Sequence, residues 1–187
     1  DKKDARRILE YGIDRNPSPS EMPDSKYFEC RTMNNAIHDL TKDITKLSNQ
    51  IHALKRSGIM AVEVIKCYEK MIKTMRLEMA KLEEKLSAKL KEWQPELLEQ
   101  VQSVKGIGKR AAAELIIYTK SFKGMENYKQ LISYSGLSPI EYSSGSSIRG
   151  RSKICKQGGK QIRHILYMCA LNAKTTNRAC RELFDRL

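Results

Sequence analysis

The 187-residue chain is 40% hydrophobic and 30% charged, with a formal net charge of +13, the balance of a folded, helix-rich protein with a polyanionic partner rather than of a disordered one. No run approaches the length of apolar sequence that spans a bilayer, and no charged-apolar-small leader opens the chain, so neither a membrane helix nor a signal peptide is expected. The five cysteines, Cys30, Cys67, Cys155, Cys169 and Cys180, form no C-x-x-C pair, which argues against a zinc site or a disulfide framework and fits free thiols in a reducing cytoplasm.

Taken in chain order, DKKDARRILEYGID (1–14) reads as a short helix with Ala5, Ile8 and Leu9 on one face. RNPSPSEMPD (15–24) carries three prolines and reads as a linker, because proline removes a donor and disfavours helix before it. Ile37, Leu40, Ile44, Leu47, Ile51 and Leu54 then alternate steps of three and four, an a/d seam. Lys55 and Arg56 before Gly58 mark a helix end. Ile65, Tyr68, Ile72, Met75, Met79, Leu82 and Leu86 repeat the seam, Trp93 follows one heptad later, and Pro95 marks the end. Two long helices with narrow apolar stripes either fold back as an antiparallel hairpin around Gly58 or pair with another chain; their expected task is spacing or dimerisation.

From Leu97 the pattern changes to shorter helices, around Tyr128–Ser135, over 157–173 and over Asn177–Leu187, with strand alternation only in a few residues near 138–148. The expected fold is mainly α: a coiled-coil helical hairpin followed by a small helical domain with a helix-hairpin-helix element. Three segments result: a short leading segment 1–20, the coiled-coil connector 21–96 and the helical domain 97–187.

Charge is unevenly placed. Residues 101–187 hold 16 Lys/Arg against 5 Asp/Glu, and from Tyr142 to Arg181 there are nine cations and no carboxylate. A one-signed tract of that length favours nucleic acid over an acidic protein or a membrane surface. Upstream of it, SVKGIGKRAAAEL (103–115) fits the helix-hairpin-helix pattern h-x-G-h-G-x-x-x-A. Gly106 and Gly108 permit a tight turn, backbone N–H groups there can hold a phosphate without reading bases, and Lys105, Lys109 and Arg110 add charge. Asp1 and Asp4 place two carboxylates on one helical face, a weak metal signal by spacing alone.

The tract SSGSSIRGRSKICKQGGKQIRH (143–164) joins the serines at 143, 144, 146 and 147 to Arg149, Arg151, Lys153, Lys156, Lys160 and Arg163. No carboxylate follows Glu141 closely enough to serve a hydrolase triad, whereas clustered cations suit the oxygens of a phosphodiester. The residues leave three readings open: a phosphate-binding loop, an unordered loop, or a loop presenting a nucleophilic serine.

The order VKGIGKRAAAEL, YKQLISYSGLSP, SSGSSIRGRSKICKQGGKQIRHILYMCA resembles the carboxy-terminal domain of the insertion-sequence one-ten family of DEDD/serine transposases, related to the Piv DNA invertases. Its elements are Gly136-Leu137-Ser138-Pro139, Ser144-Gly145, Arg149-Gly150, Ile154-Cys155-Lys156-Gln157-Gly158, then Ile162-Arg163 and Leu166-Tyr167. Gly159 stands where asparagine is usual and Ile162 where leucine is usual. DKKDARRILEYG resembles the last motif of the family's RuvC-like domain.

The resemblance implies a DNA transposase or site-specific recombinase with Ser144 as nucleophile through a phosphoserine link, and Ser143 as its nearest rival. It further implies Asp1 and Asp4 as two of the carboxylates holding Mg²⁺, a structured guide RNA, DNA as substrate, and a dimer or tetramer in a bacterial cytoplasm at the nucleoid. On that reading 1–20 is the end of a truncated RuvC-like domain, and the chain by itself is expected to be inactive. The alternative is a non-catalytic nucleic-acid-binding and dimerisation module.

Overall fold

The structure, a computed structural model, describes residues 1–16, 22–58, 61–140, 143–144, 148–150, 152–155 and 157–186; for 143, 144, 148 and 149 it describes the backbone. The fold is mainly α, as expected. Helix α1 (Lys2–Arg15) begins at Asp1, whose carboxylate accepts from the Lys3 N–H at 3.0 Å. It buries none of its residues, and Ile8, Leu9 and Ile13 are all exposed. The linker expected at 15–24 falls largely on residues 17–21, outside the described residues.

The two heptad stripes form α2 (Ser25–Arg56) and α3 (Val62–Trp93), and they pack against each other within one chain. Asp24 caps α2 through the Lys26 N–H, and Gly58 takes φ +69 after its end, a conformation that suits glycine. Lys26–Glu92 (2.9 Å), Lys89–Glu29 and Lys55–Glu69 (3.5 Å) tie the early residues of one helix to the late residues of the other, as an antiparallel hairpin requires. Each pair is exposed, so it sets orientation more than stability. Along the stripes Ile37, Ile51, Ile72 and Leu86 are buried, while Leu40, Ile44, Leu47, Ile65, Tyr68 and Met75 are half-buried. Two helices alone cannot cover both flanks of an a/d seam.

Pro95 does more than end α3. Gln94 breaks the helix, and Pro95 opens α4 (Pro95–Ser103) at its first turn, where a missing N–H costs nothing. Helix α5 (Lys109–Tyr118) follows the turn 104–108. Leu98, Ala112, Ala113, Ile116 and Ile117 then join Tyr27, Cys30, Ile37, Leu86 and Leu90 in one core at the open end of the hairpin. Past α5, Lys120, Ser121 and Phe122 all have positive φ (52, 60 and 56°). That left-handed turn is held by Ser121 N–H to the Ile116 carbonyl (2.8 Å) and Phe122 N–H to the Thr119 hydroxyl (3.2 Å). It delivers the Phe122 ring to both apolar clusters.

Helix α6 (Tyr128–Ser135) leads into short strands β1 (Pro139–Ile140), β2 (Ser143–Ser144), β3 (Ile148–Arg149) and β4 (Lys153–Ile154). Helices α7 (Lys160–Thr176) and α8 (Arg178–Arg186) complete the chain. Ile165 and Cys169 of α7 pack on Leu115 in the second cluster, so α5 is the wall shared by both.

Candidate nucleic-acid interface

The turn between α4 and α5 is where the helix-hairpin-helix element was expected, and it is closed by backbone hydrogen bonds. Val104 N–H bonds to the Val101 carbonyl (3.4 Å), Ile107 N–H to the Val104 carbonyl (3.0 Å), and Gly106 takes φ +109. The two glycines do different work. A Cβ at Gly106 would lie 2.7 Å from the Ala173 Cβ, and Asn172 Nδ2 donates to the Gly106 carbonyl at 3.2 Å, so this glycine lets the turn press onto α7. Around Gly108 the space is open. Gly108 is the N-cap of α5 and provides no side-chain acceptor, which leaves first-turn N–H groups directed out of the helix.

The three cations of the motif also divide. Lys105 and Lys109 are exposed. Arg110 donates to Glu114 (3.0 Å) and Glu83 (3.1 Å), binding α5 to α3. The Glu114 side chain is nearly buried, so Arg110 supplies the positive charge that makes its burial tolerable. Burial, with the Glu114 carboxylate second, pushes the Tyr118 hydroxyl and the Cys169 thiol up, which keeps both as neutral packing groups.

The serine tract is a β-ribbon. Pro139 stands opposite Ile154 and Ile140 opposite Lys153; farther out Ser143 stands opposite Arg149 and Ser144 opposite Ile148. Residues 141–142, 145–147, 151 and 156 lie outside the described residues, so the expectations for Arg151 and Lys156 fall there. Lys153 and Lys160 are exposed, at the base of the ribbon and the first turn of α7. Among the described residues no strand pair is longer than two residues, too short for alternation to be legible.

The ribbon base is closed tightly. Gly136 caps α6 with φ +68, and Leu137 N–H reaches back to the Ile132 carbonyl (3.0 Å), a left-handed helix stop. The returning chain crosses there at Gly158, where a Cβ would overlap the Tyr134 carbonyl oxygen and the Gly136 nitrogen. Cys155 N–H bonds to the Ser138 carbonyl (2.9 Å). Arg163 Nη1 donates to both the Ser135 carbonyl (3.0 Å) and the Gly158 carbonyl (2.7 Å). Ser135 is fully buried, and leaving such a carbonyl unpaired costs about 1–3 kcal/mol. Beside this crossing a cleft of about 420 Å³ opens at the α7 N-terminus, where Gly159 offers no side-chain cap.

The sequence reading named Arg163, Gly106 and Gly108 but missed Asn172 and the mutual contact of Gly136 and Gly158, whose signal is a distance between residues far apart in the chain. Asp1 and Asp4 lie exposed at the start of α1. They are hard oxygen donors of the kind Mg²⁺ takes, but among the described residues no third carboxylate or imidazole joins them. Among the described residues no helix is long and apolar enough to cross a membrane.

Residues 98–185, from α4 to the last turn of α8, match the family described as transposase IS116/IS110/IS902. Among individual proteins, the pilin gene-inverting protein of Moraxella lacunata is 35% identical over 69 residues, 37% of this chain and 21% of that protein. Its namesake in Moraxella bovis matches to the same extent. The insertion element IS110 uncharacterized 43.6 kDa protein of Streptomyces coelicolor is 31% identical over 84 residues, 45% of this chain and 20% of that protein. The matched stretches thus span about a fifth of each relative's own length.

Proposed function

We propose that this chain, whose residues 98–185 match the transposase IS116/IS110/IS902 family, takes part in DNA recombination, with Ser144 as the group that attacks the DNA backbone. One observation carries the reading. Within the family-matched region, Ser144 sits near the outer end of a β-ribbon whose base is locked to α6 and α7, in a tract free of carboxylates. A hydroxyl on a fixed support beside many cations suits attack on a phosphodiester. The Ser144 oxygen forms a bond to phosphorus as one bridging P–O bond breaks. The serine proton leaves to a base, and the departing oxygen gains one. The resulting phosphoserine ester keeps the bond energy, so a second DNA hydroxyl can reverse the step and exchange strands.

Under the same reading Lys105, Lys109 and the first-turn N–H groups of α5 hold a second stretch of backbone phosphate. The names of the Moraxella relatives speak of gene inversion, a recombination outcome consistent with this chemistry. A structured guide RNA and an oligomer built through the hairpin belong to the proposal as the family resemblance implies them. Mg²⁺ belongs to it too, held in part by Asp1 and Asp4 and completed by ligands beyond these two.

The test is a recombination assay with the guide RNA and Mg²⁺, with protein–DNA adducts trapped by denaturation. Ser144→Ala should abolish the adduct, whereas Ser143→Ala should retain it. Normal recombination by Ser144→Ala removes the assignment, and absence of any adduct removes the covalent step. The non-catalytic reading, a nucleic-acid-binding module, predicts salt-sensitive binding with no adduct in any variant.

A further inference from the structure

Arg163 belongs, by sequence, with the cations expected to meet phosphate. Its surroundings indicate a different task. One nitrogen of its guanidinium serves two carbonyls, Ser135 at 3.0 Å and Gly158 at 2.7 Å. These carbonyls belong to the two chain segments flanking the ribbon: Ser135 ends α6 before β1, and Gly158 follows β4 before α7. At the same point Gly136 and Gly158 are in backbone contact, and a Cβ on Gly136 would stand 2.9 Å from Arg163 Nη1. The arginine and the glycine pair thus form one closure.

Arg163 itself stands on α7, one residue past the buried Ile162 and two before the buried Ile165. Its position is therefore set by the core. Charged donors on carbonyls make strong bonds, and the Ser135 carbonyl, at a buried helix end, lacks an intrahelical donor.

We propose that Arg163 is a positioning residue: it fastens the outgoing and returning limbs of the serine ribbon to α7, and so fixes where Ser144 is presented. The proposal rests on the reading of Ser144 as nucleophile for its consequence, but not for its geometry. Arg163 touches no reacting atom; it acts through the ribbon.

Hydrogen exchange of this chain, without DNA, tests the geometry. Arg163→Gln keeps hydrogen-bonding capacity but removes the charge and the fork. The expected result is exchange at least about tenfold faster in the amides of 137–155, with α2, α3 and α5 unchanged. Gly158→Ala should loosen the same amides by forcing the crossing apart, although it leaves every cation in place. If either variant folds and its ribbon amides exchange as in the parent, the clamp is overturned. Should Arg163→Gln fail to fold, Gly158→Ala decides by the same measurement.

Two further readouts separate positioning from phosphate contact and from plain instability. A phosphate contact predicts that Arg163→Gln lowers the slope of log affinity against log salt by about one; the clamp predicts an unchanged slope. In a recombination-competent preparation the clamp predicts a cleavage rate constant about 100-fold lower at unchanged half-saturating DNA, because a displaced nucleophile loses rate and not binding. Plain instability would lower the active fraction and leave the rate constant alone. A normal recombination rate in Ser144→Ala would dismiss the nucleophile while leaving the exchange result standing.

Discussion

The turn at 104–108 and the ribbon at 139–154 look alike in sequence, each a glycine-bearing loop among cations. They are built in opposite ways. The turn has one glycine pressed on α7 and one facing open space. In the ribbon base the two close-packed glycines press on each other, and an arginine is consumed in holding them. A glycine beside positive charge therefore does not by itself mark a phosphate site. It marks a close approach, and only the structure tells whether the approaching body is the protein or is left for a ligand.

That contrast is open to attack, beginning with the largest effect. Gly158→Ala places a Cβ against rigid backbone and should cost about 3 kcal/mol in denaturant unfolding, within the range for overpacked sites. Gly106→Ala combines a positive φ with the Ala173 contact and should cost about 2 kcal/mol. Arg110→Gln strands the nearly buried Glu114 beside Glu83, for a loss of about 1–2 kcal/mol after allowance for the half-exposed arginine. It should leave the salt slope of DNA binding unchanged, whereas Lys109→Gln should lower that slope by about one and barely move stability.

Gly108→Asp reverses the sign. A side-chain cap should add roughly 0.5 kcal/mol of stability, yet weaken DNA binding by occupying the N–H groups of α5 and adding negative charge. If affinity is unchanged, the α5 N-terminus holds no phosphate.

The smallest effect is electrostatic. The Lys26 ammonium beside Glu92 holds its carboxyl below the usual carboxylate range. The pair's contribution is thus present above the ordinary glutamate pKa and disappears as pH falls through the depressed one. The Tm difference between the parent chain and Glu92→Gln should close in that acidic window and remain constant from there to neutral pH.

Much of the scaffold was legible because a heptad seam is a local, periodic signal. Ile37 to Leu54 and Ile65 to Leu86 carry it without help from the rest of the chain. The choice between pairing within and between chains was not legible from the seam, since a/d positions are the same in both; for α2 and α3 the structure gives a hairpin within the chain. Pro95 was read as a stop and is also a start, because α4 turns back to pack against α3 and α5.

The left-handed turn at Lys120–Phe122 carried no glycine to betray it. Ser121 there has a buried hydroxyl without a partner, so Ser121→Gly should stabilise the chain by about 1 kcal/mol. For the site, residue types announced charge and hydroxyl, but not which cations were already engaged by carboxylates or carbonyls.

Helix α7 meets the turn through Ala173 and the base of the ribbon through Arg163. A helix preserves angle as well as distance. Each added residue advances it about 1.5 Å and rotates it about 100°. One residue inserted between 165 and 171 would therefore swing the ribbon to a different side of the molecule while hardly changing its separation from the turn. The two candidate DNA contacts are thus phased, like teeth cut on one shaft.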